Sequence, residues 1–200
     1  MTTVELVEGF TTWLNENVCG LIKLKRPPLD DAGRGEFDVV YEQVSPVAYP
    51  FFSATKETLP KGVKTPVPSI EVALKEGKET GSAGTLNIDL IITTWCDGIY
   101  YTQKAIPECA SANDEADLSS GIYRARTQET WRDVQNTIDV LIRELSLNPF
   151  VCDGALKIDK DAGFTFSLFS DSSFPYIHGK LSIVARYIAA RTAPAINQFL

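Results

Sequence analysis

Apolar residues recur every three to four positions at the start of the chain: Val4, Val7, Phe10, Leu14 and Val18. That spacing lines one face of a helix and predicts a helix over Thr3–Val18. Thr2 and Glu5 stand at the spacing of a capping box, a start signal. Gly20 stands where a left-handed C-terminal residue is expected. Leu21–Arg26 then predicts a short strand, stopped by Pro27-Pro28. From Asp30 to Pro66 the pattern is mixed. Phe37–Tyr41 and Val47–Phe52 have strand character, but Pro46, Pro50, Pro60 and Pro66 exclude a regular central strand. Residues 30–66 are therefore expected to form an extended arm or hairpin hung on the core.

The alternation is clearest further on. Between Pro68 and Glu76, Ile70, Val72 and Leu74 point one way, with Glu71 and Lys75 on the other face. Thr85–Trp95 carries Leu86, Ile88, Leu90 and Ile92 inward and Asn87, Asp89 and Thr93 outward. With Gly77–Gly84 as a polar turn, these two strands predict an antiparallel hairpin. Residues 97–126 lack a clear period and predict a long loop, the kind that is usually functional or mobile. Thr130–Ser146 predicts the second helix, with Trp131, Val134, Ile138, Leu141, Ile142 and Leu145 on its apolar face and Asn148-Pro149 closing it. Ala155–Ile158, Phe164–Phe169 and Lys180–Ala189 predict three more strands, and Thr192–Leu200 a tail. The order of helix, strands, helix, strands implies one α+β domain over residues 1–200. In it a mostly antiparallel sheet carries two helices on one face, with long extended loops.

Composition adds constraints. The 44% hydrophobic content is enough for a core. No stretch approaches the ~18 unbroken apolar residues of a membrane span. The first residues carry neither a basic nor an apolar signal region, so cytosolic synthesis is expected. The net charge of −7 disfavours a phosphate-tracking surface. The strongest basic cluster, Lys23, Lys25 and Arg26, alternates with Leu24 and reads as the solvent face of a strand. Cys19, Cys96, Cys109 and Cys152 show no closely spaced pair and are expected to be free thiols, with no zinc site.

Candidate chemistry is sparse. His178 is the sole histidine, and its neighbours supply neither nucleophile nor orienting group, so a turn or strand-end residue is favoured over a catalytic one. The acidic pairs Asp30-Asp31, Asp114-Glu115 and Asp159-Lys160-Asp161 read as solvated loops or weak cation sites; none fits the calcium-loop pattern. Gly33-Arg34-Gly35 lacks the rest of a dinucleotide fingerprint. No catalytic, cofactor or metal residues are therefore assigned, and the chain is expected not to be an enzyme. Aromatics concentrate at Tyr49, Phe51 and Phe52 and at Trp95, Tyr100 and Tyr101. As aromatic anchors dominate interfaces, these six and the acidic Asp114 and Glu115 are the candidate assembly-interface residues.

Several of these segments occur together in a known order. Pro68-Ser69-Ile70-Glu71-Val72 and Glu76-Gly77 precede the alternating Leu86–Ile92. Trp131-Arg132-Asp133-Val134 opens a helix, and Phe174-Pro175-Tyr176-Ile177-His178-Gly179 leads to a closing strand. This series resembles the tail terminator, or minor tail, proteins of bacteriophages and prophages with long non-contractile tails. There a P-x-I-x-V-x-x-x-E-G strand, an alternating strand, a W-x-D-V helix start and a Y-P-Y-W-x-G turn share that order. The resemblance spans roughly Glu5 to Ala190, with gaps. Here the 30–66 and 95–126 segments are longer than in the family, and the final turn is less aromatic.

The resemblance implies a subunit of a ring, typically of six, that caps the tail tube, stops its polymerisation and gives the head a docking surface. Its partners would be further copies of itself, the tail tube protein and a head connector protein. Genome DNA would pass through without sequence-specific binding. The site of action would be the virion neck or tail, assembled in the host cytoplasm, with no cofactor and no membrane. Another neck or tail subunit (a connector adaptor or tube protein) and an unrelated small enzyme or ligand-binding domain stay open as alternatives.

Overall fold

The computed structural model describes residues 2–27, 42–52, 66–95, 126–169 and 176–188, with 126–129 as backbone. The expected strand Phe37–Tyr41, most of the 97–126 loop and the 192–200 tail lie outside the described residues.

Helix α1 spans Thr3–Asn17. The expected capping box is present: the Glu5 N–H donates to Thr2 Oγ1 at 3.2 Å, and the Thr2 N–H donates to Glu5 Oε2 at 2.6 Å. The buried stripe is Leu6, Val7, Phe10, Thr11 and Leu14, while Val4 is exposed. Gly20 does not end the helix in a left-handed conformation. The chain passes from Val18 into a 3-10 turn, Cys19–Leu21, so the expected strand from Leu21 shrinks to β1, Leu24–Lys25. Strand β1 pairs with β2, Gln43–Val44, in a small antiparallel ribbon.

The main sheet rests on three long strands: β4 (Ser69–Thr80), β5 (Ala83–Trp95) and β9 (Tyr176–Ile188). β5 is central, antiparallel to both neighbours. Outside β4 lies the short β3 (Val47–Pro50), the one parallel strand among the described residues. On the far side of β9 two short strands share its edge. β7 (Leu156–Ile158) pairs with Ala185, Arg186 and Tyr187 near the end of β9, and β8 (Thr165–Leu168) pairs with Gly179 to Ser182. β6 (Phe150–Val151) lies outside β7. The sheet order is thus β3-β4-β5-β9-β7-β6, with β8 also on β9.

All of 30–66 is expected outside the core, but β3 belongs to the main sheet. It lies at the edge, in keeping with the prolines that exclude a central strand. The expected Gly77–Gly84 turn is mostly strand. β4 and β5 stay paired out to Thr80 and Ala83, and the turn is Gly81-Ser82, with Gly81 at φ 67. The β4 side chains of that extension are exposed on both faces, so they carry no alternation. The Tyr176–Gly179 segment, read as a turn, opens β9.

Even-numbered residues of β5 face the helices. Leu86, Ile88, Leu90 and Ile92 form one buried cluster with Phe10 and Leu14 of α1 and with Val134, Ile138, Leu141 and Leu145 of the second helix, α2 (Arg126–Leu147). Each such side chain contributes about 1.5–3 kcal/mol by leaving water. The result is the expected α+β fold, a mostly antiparallel sheet with two helices. α1 touches both ends of the sheet order. Asn15 reaches β3, and Gly9 lies against the Cys152 turn between β6 and β7, where an added Cβ would sit 3.3 Å from Cys152 Sγ. The sheet therefore curls around α1.

Two glycines set how closely neighbouring groups meet. The Tyr187 ring lies over Gly84, its register partner, where a Cβ would overlap the ring. A Cβ on Gly179 would overlap Val134 Cγ1, so α2 approaches β9 only because residue 179 has no side chain. Gly179→Ala is expected to destabilise the fold by about 1–3 kcal/mol through overpacking. In a double-mutant cycle, Val134→Ala should recover part of that loss. Denaturant unfolding of the four proteins measures the coupling, and simple additivity would contradict this account.

Candidate functional site

The outer face of the sheet is polar and ordered in cross-strand rows. Ser69, Thr93 and His178 form one row, and Thr93 Oγ1 lies 3.0 Å from His178 Nδ1. Ala73, Asp89, Ser182 and Thr165 form another; Ser182 Oγ donates to Asp89 Oδ1 at 2.5 Å, and Lys180 Nζ lies 3.7 Å from Asp89 Oδ2. Ser69 and His178 sit two strands apart, about 9–10 Å at ordinary strand spacing. The row therefore does not link a serine nucleophile to the imidazole.

The remaining candidates for chemistry have structural work to do. Asp159 accepts from Arg186 at 2.8 Å (Nε) and 2.5 Å (Nη2), tying the turn at Lys160–Ala162 to β9. Asp161 is exposed in that turn. The basic cluster is divided: Lys23 Nζ donates to Ser45 Oγ at 3.1 Å, and Arg26 pairs with Glu42 at 3.1 Å. Lys23 and Lys25 also line a polar cleft with Arg132, Asp133 and Asn136 of α2. Cys19 and Cys152 are free thiols. Burial pushes both up to about 11; the Asp153 charge adds to the rise at Cys152, and a backbone hydrogen bond with Ala48 opposes it at Cys19. Among the described residues no group of three or more His, Cys, Asp or Glu is placed to hold a metal.

The interface candidates separate. Tyr49, Phe51 and Phe52 come together at the end of β3. Tyr49 is half-buried and Phe52 is 71% exposed. Phe51 has φ 66, and the Phe52 N–H donates to the Pro50 carbonyl at 2.8 Å. That is a γ-turn of the rare, strained sign, unusual for a bulky residue. Trp95 differs: it ends β5 at 1% exposure and presents no surface to a partner. Its large apolar ring fits burial as well as it fits an interface, and the sequence does not separate the two. Asp30, Asp31, Gly33, Gly35, Cys96, Tyr100, Tyr101, Cys109, Asp114 and Glu115 lie outside the described residues.

Sequence reasoning missed how the sheet edges are finished. The β3 residues whose backbone faces away from β4 are Ala48 and Pro50, because Val47 and Phe51 donate toward β4. Asn15 of α1 pairs with both Ala48 groups: its Nδ2 donates to the carbonyl at 3.0 Å, and the Ala48 N–H donates to Oδ1 at 2.8 Å. Pro50 has no N–H to offer. This edge is closed to a further strand. The outer part of β4 carries a bulge between Leu74 and Glu76 and the charges Lys75, Glu76, Lys78 and Glu79, which also discourage pairing. Across the sheet, Phe150, Phe166 and Leu168 are exposed apolar residues on β6 and β8. An Asn on a helix and a Phe on an alternating strand carry no sequence mark of these positions.

Comparison with family models, with curated proteins and with solved structures finds no match to this chain.

Asn15→Ala removes the amide that pairs with both outer groups of Ala48. A loss of about 1–2 kcal/mol is expected in denaturant unfolding, together with increased light scattering from the opened edge. A separate expectation concerns alkali. An acid whose folded pKa is raised stabilises the fold below its unfolded pKa and loses that contribution as pH rises. For Cys19 and Cys152 the window runs from the ordinary 9.0 to about 11. The unfolding midpoint should fall across that window, and the fall should be smaller in the Cys19→Ala/Cys152→Ala variant.

Proposed function

We propose that this chain is a subunit of a phage tail terminator: a ring of identical copies, six in the family it resembles, that caps the tail tube, halts its growth and receives the head. The reading rests first on the ordered motifs of the strand pair, the Trp131 helix and the Tyr176–Gly179 segment. The observation that carries it is the exposed aromatic turn Phe51-Phe52, held at φ 66 beside a sheet edge that cannot accept a strand. Backbone strain of this kind costs about 1–3 kcal/mol and persists where surrounding structure holds it, commonly at functional positions. An exposed aromatic pair at the periphery suits an anchor that enters a neighbouring subunit.

A ring needs a head-to-tail contact between two different surfaces. The Phe51-Phe52 turn supplies one and another part of the next copy the other. The tail tube protein and a head connector would meet the two rims. The acidic chain, at net charge −7, suits a channel through which DNA passes without adhering. The protein would act in the virion, as a binding component and not as an enzyme.

Phe51→Gly relieves the strained φ and is expected to leave the fold as stable or more stable, by up to about 1 kcal/mol. Phe51→Gly/Phe52→Ser should keep the wild-type circular dichroism spectrum yet form no rings in negative stain. In a phage carrying a deletion of this gene, overlong tails or tails unable to join heads are expected by electron microscopy. Normal tails joined to heads would rule the proposal out.

A further inference from the structure

We infer that β8 is a pairing edge for a second copy of this chain, joined antiparallel about a two-fold axis. The Phe169 N–H donates to the His178 carbonyl at 3.1 Å. By the alternation of an antiparallel ladder, Thr165 and Ser167 also turn their backbone toward β9. Phe166 and Leu168 then turn theirs outward. Among the described residues no strand pairs with that side.

Among the described residues, this edge has none of the protection found on the other side of the sheet. Thr165-Phe166-Ser167-Leu168 contains no charge, no proline and no bulge, and all four residues are exposed. Among the described residues no side chain plays the part that Asn15 plays at Ala48. Phe166 at 49% and Leu168 at 39% exposure share the helix-covered face with their register partners Leu181 and Gly179. Among the described residues, unpaired main-chain groups and apolar side chains thus lie on one edge, an arrangement that proteins avoid unless something pairs with it.

The strand is self-complementary, which selects a second copy as the occupant. With Phe166 opposite Leu168 of the second copy, and the reverse, both outward residues of each strand exchange N–H···O bonds. Their side chains meet on one face, and no like charges are brought together. The row is also open at the right place. Among the described residues, β6 fills the position beyond β7, beside the end of β9, and no strand stands beyond β8. The contact is two-fold and so distinct from the head-to-tail contact of a ring. The inference does not depend on the tail reading.

In this register Ser167 faces Ser167 of the second copy across a non-hydrogen-bonded pair, where Cα atoms approach to about 4.5 Å. Thr165 lies about 13 Å from its own counterpart along the strand. Mild oxidation of Ser167→Cys should therefore give a covalent dimer on a non-reducing gel, while wild type and Thr165→Cys should not. Phe166→Lys places like charges across the axis and should shift sedimentation toward the smaller species without changing the circular dichroism spectrum. Wild type that stays monomeric at every concentration would overturn the inference. So would cross-linking that is equal for the two cysteine variants, or association unchanged by Phe166→Lys.

Discussion

The antiparallel ladder between β5 and β9 fixes where nearly everything else lies. It pairs residues without interruption from Ala83 with Ile188 to Trp95 with Tyr176. Because side chains alternate, a slip of one residue would carry Leu86, Ile88, Leu90 and Ile92 to the polar face and Asn87 and Asp89 into the core. The same register sets Gly84 under Tyr187 and Gly179 under Val134, so it also sets how closely α2 sits on the sheet. The helices follow this frame. α2 lies over β5 and β9, and α1 fills the curl and reaches both β3 and the Cys152 turn.

A curled sheet that stays open has edges, and this chain treats them unequally. On the β3 side, the Asn15 amide imitates the missing strand and Pro50 withholds a donor. Along β4, a bulge and alternating charges continue the defence. On the β8 side no comparable device is present among the described residues, and two apolar side chains stand exposed. Edge protection costs sequence freedom at several positions, so an edge left bare is informative about what meets it.

The same contrast bears on function. The polar groups that might have suggested chemistry are engaged in holding the sheet: His178 with Thr93, Asp89 with Ser182 and Lys180, Asp159 with Arg186. Among the described residues, several exposed aromatic and apolar side chains have no such role and lie at the periphery. They are the strained Phe51-Phe52 turn at one end of the sheet and Phe150, Phe166 and Leu168 at the other. The proposed assembly role draws on that distribution.

Much of this was written in local pattern. The capping box at Thr2, the period of α1 and α2, and the alternation of β4 and β5 follow from short-range spacing, because burial on one face imposes a period on the chain. Alternation failed as a guide where neither face is buried, in the outer hairpin around Gly81, and where glycine serves packing, at Gly179. Trp95 was ambiguous because core and interface select the same side chain. By itself the sequence determined the α+β class, the main strand pair and the helical faces. Only the tertiary structure decided that β3 joins the sheet, that Asn15 closes its edge and that β8 pairs along the edge of β9. Those outcomes depend on which distant segments meet, and a residue's own neighbours in the chain carry no record of that.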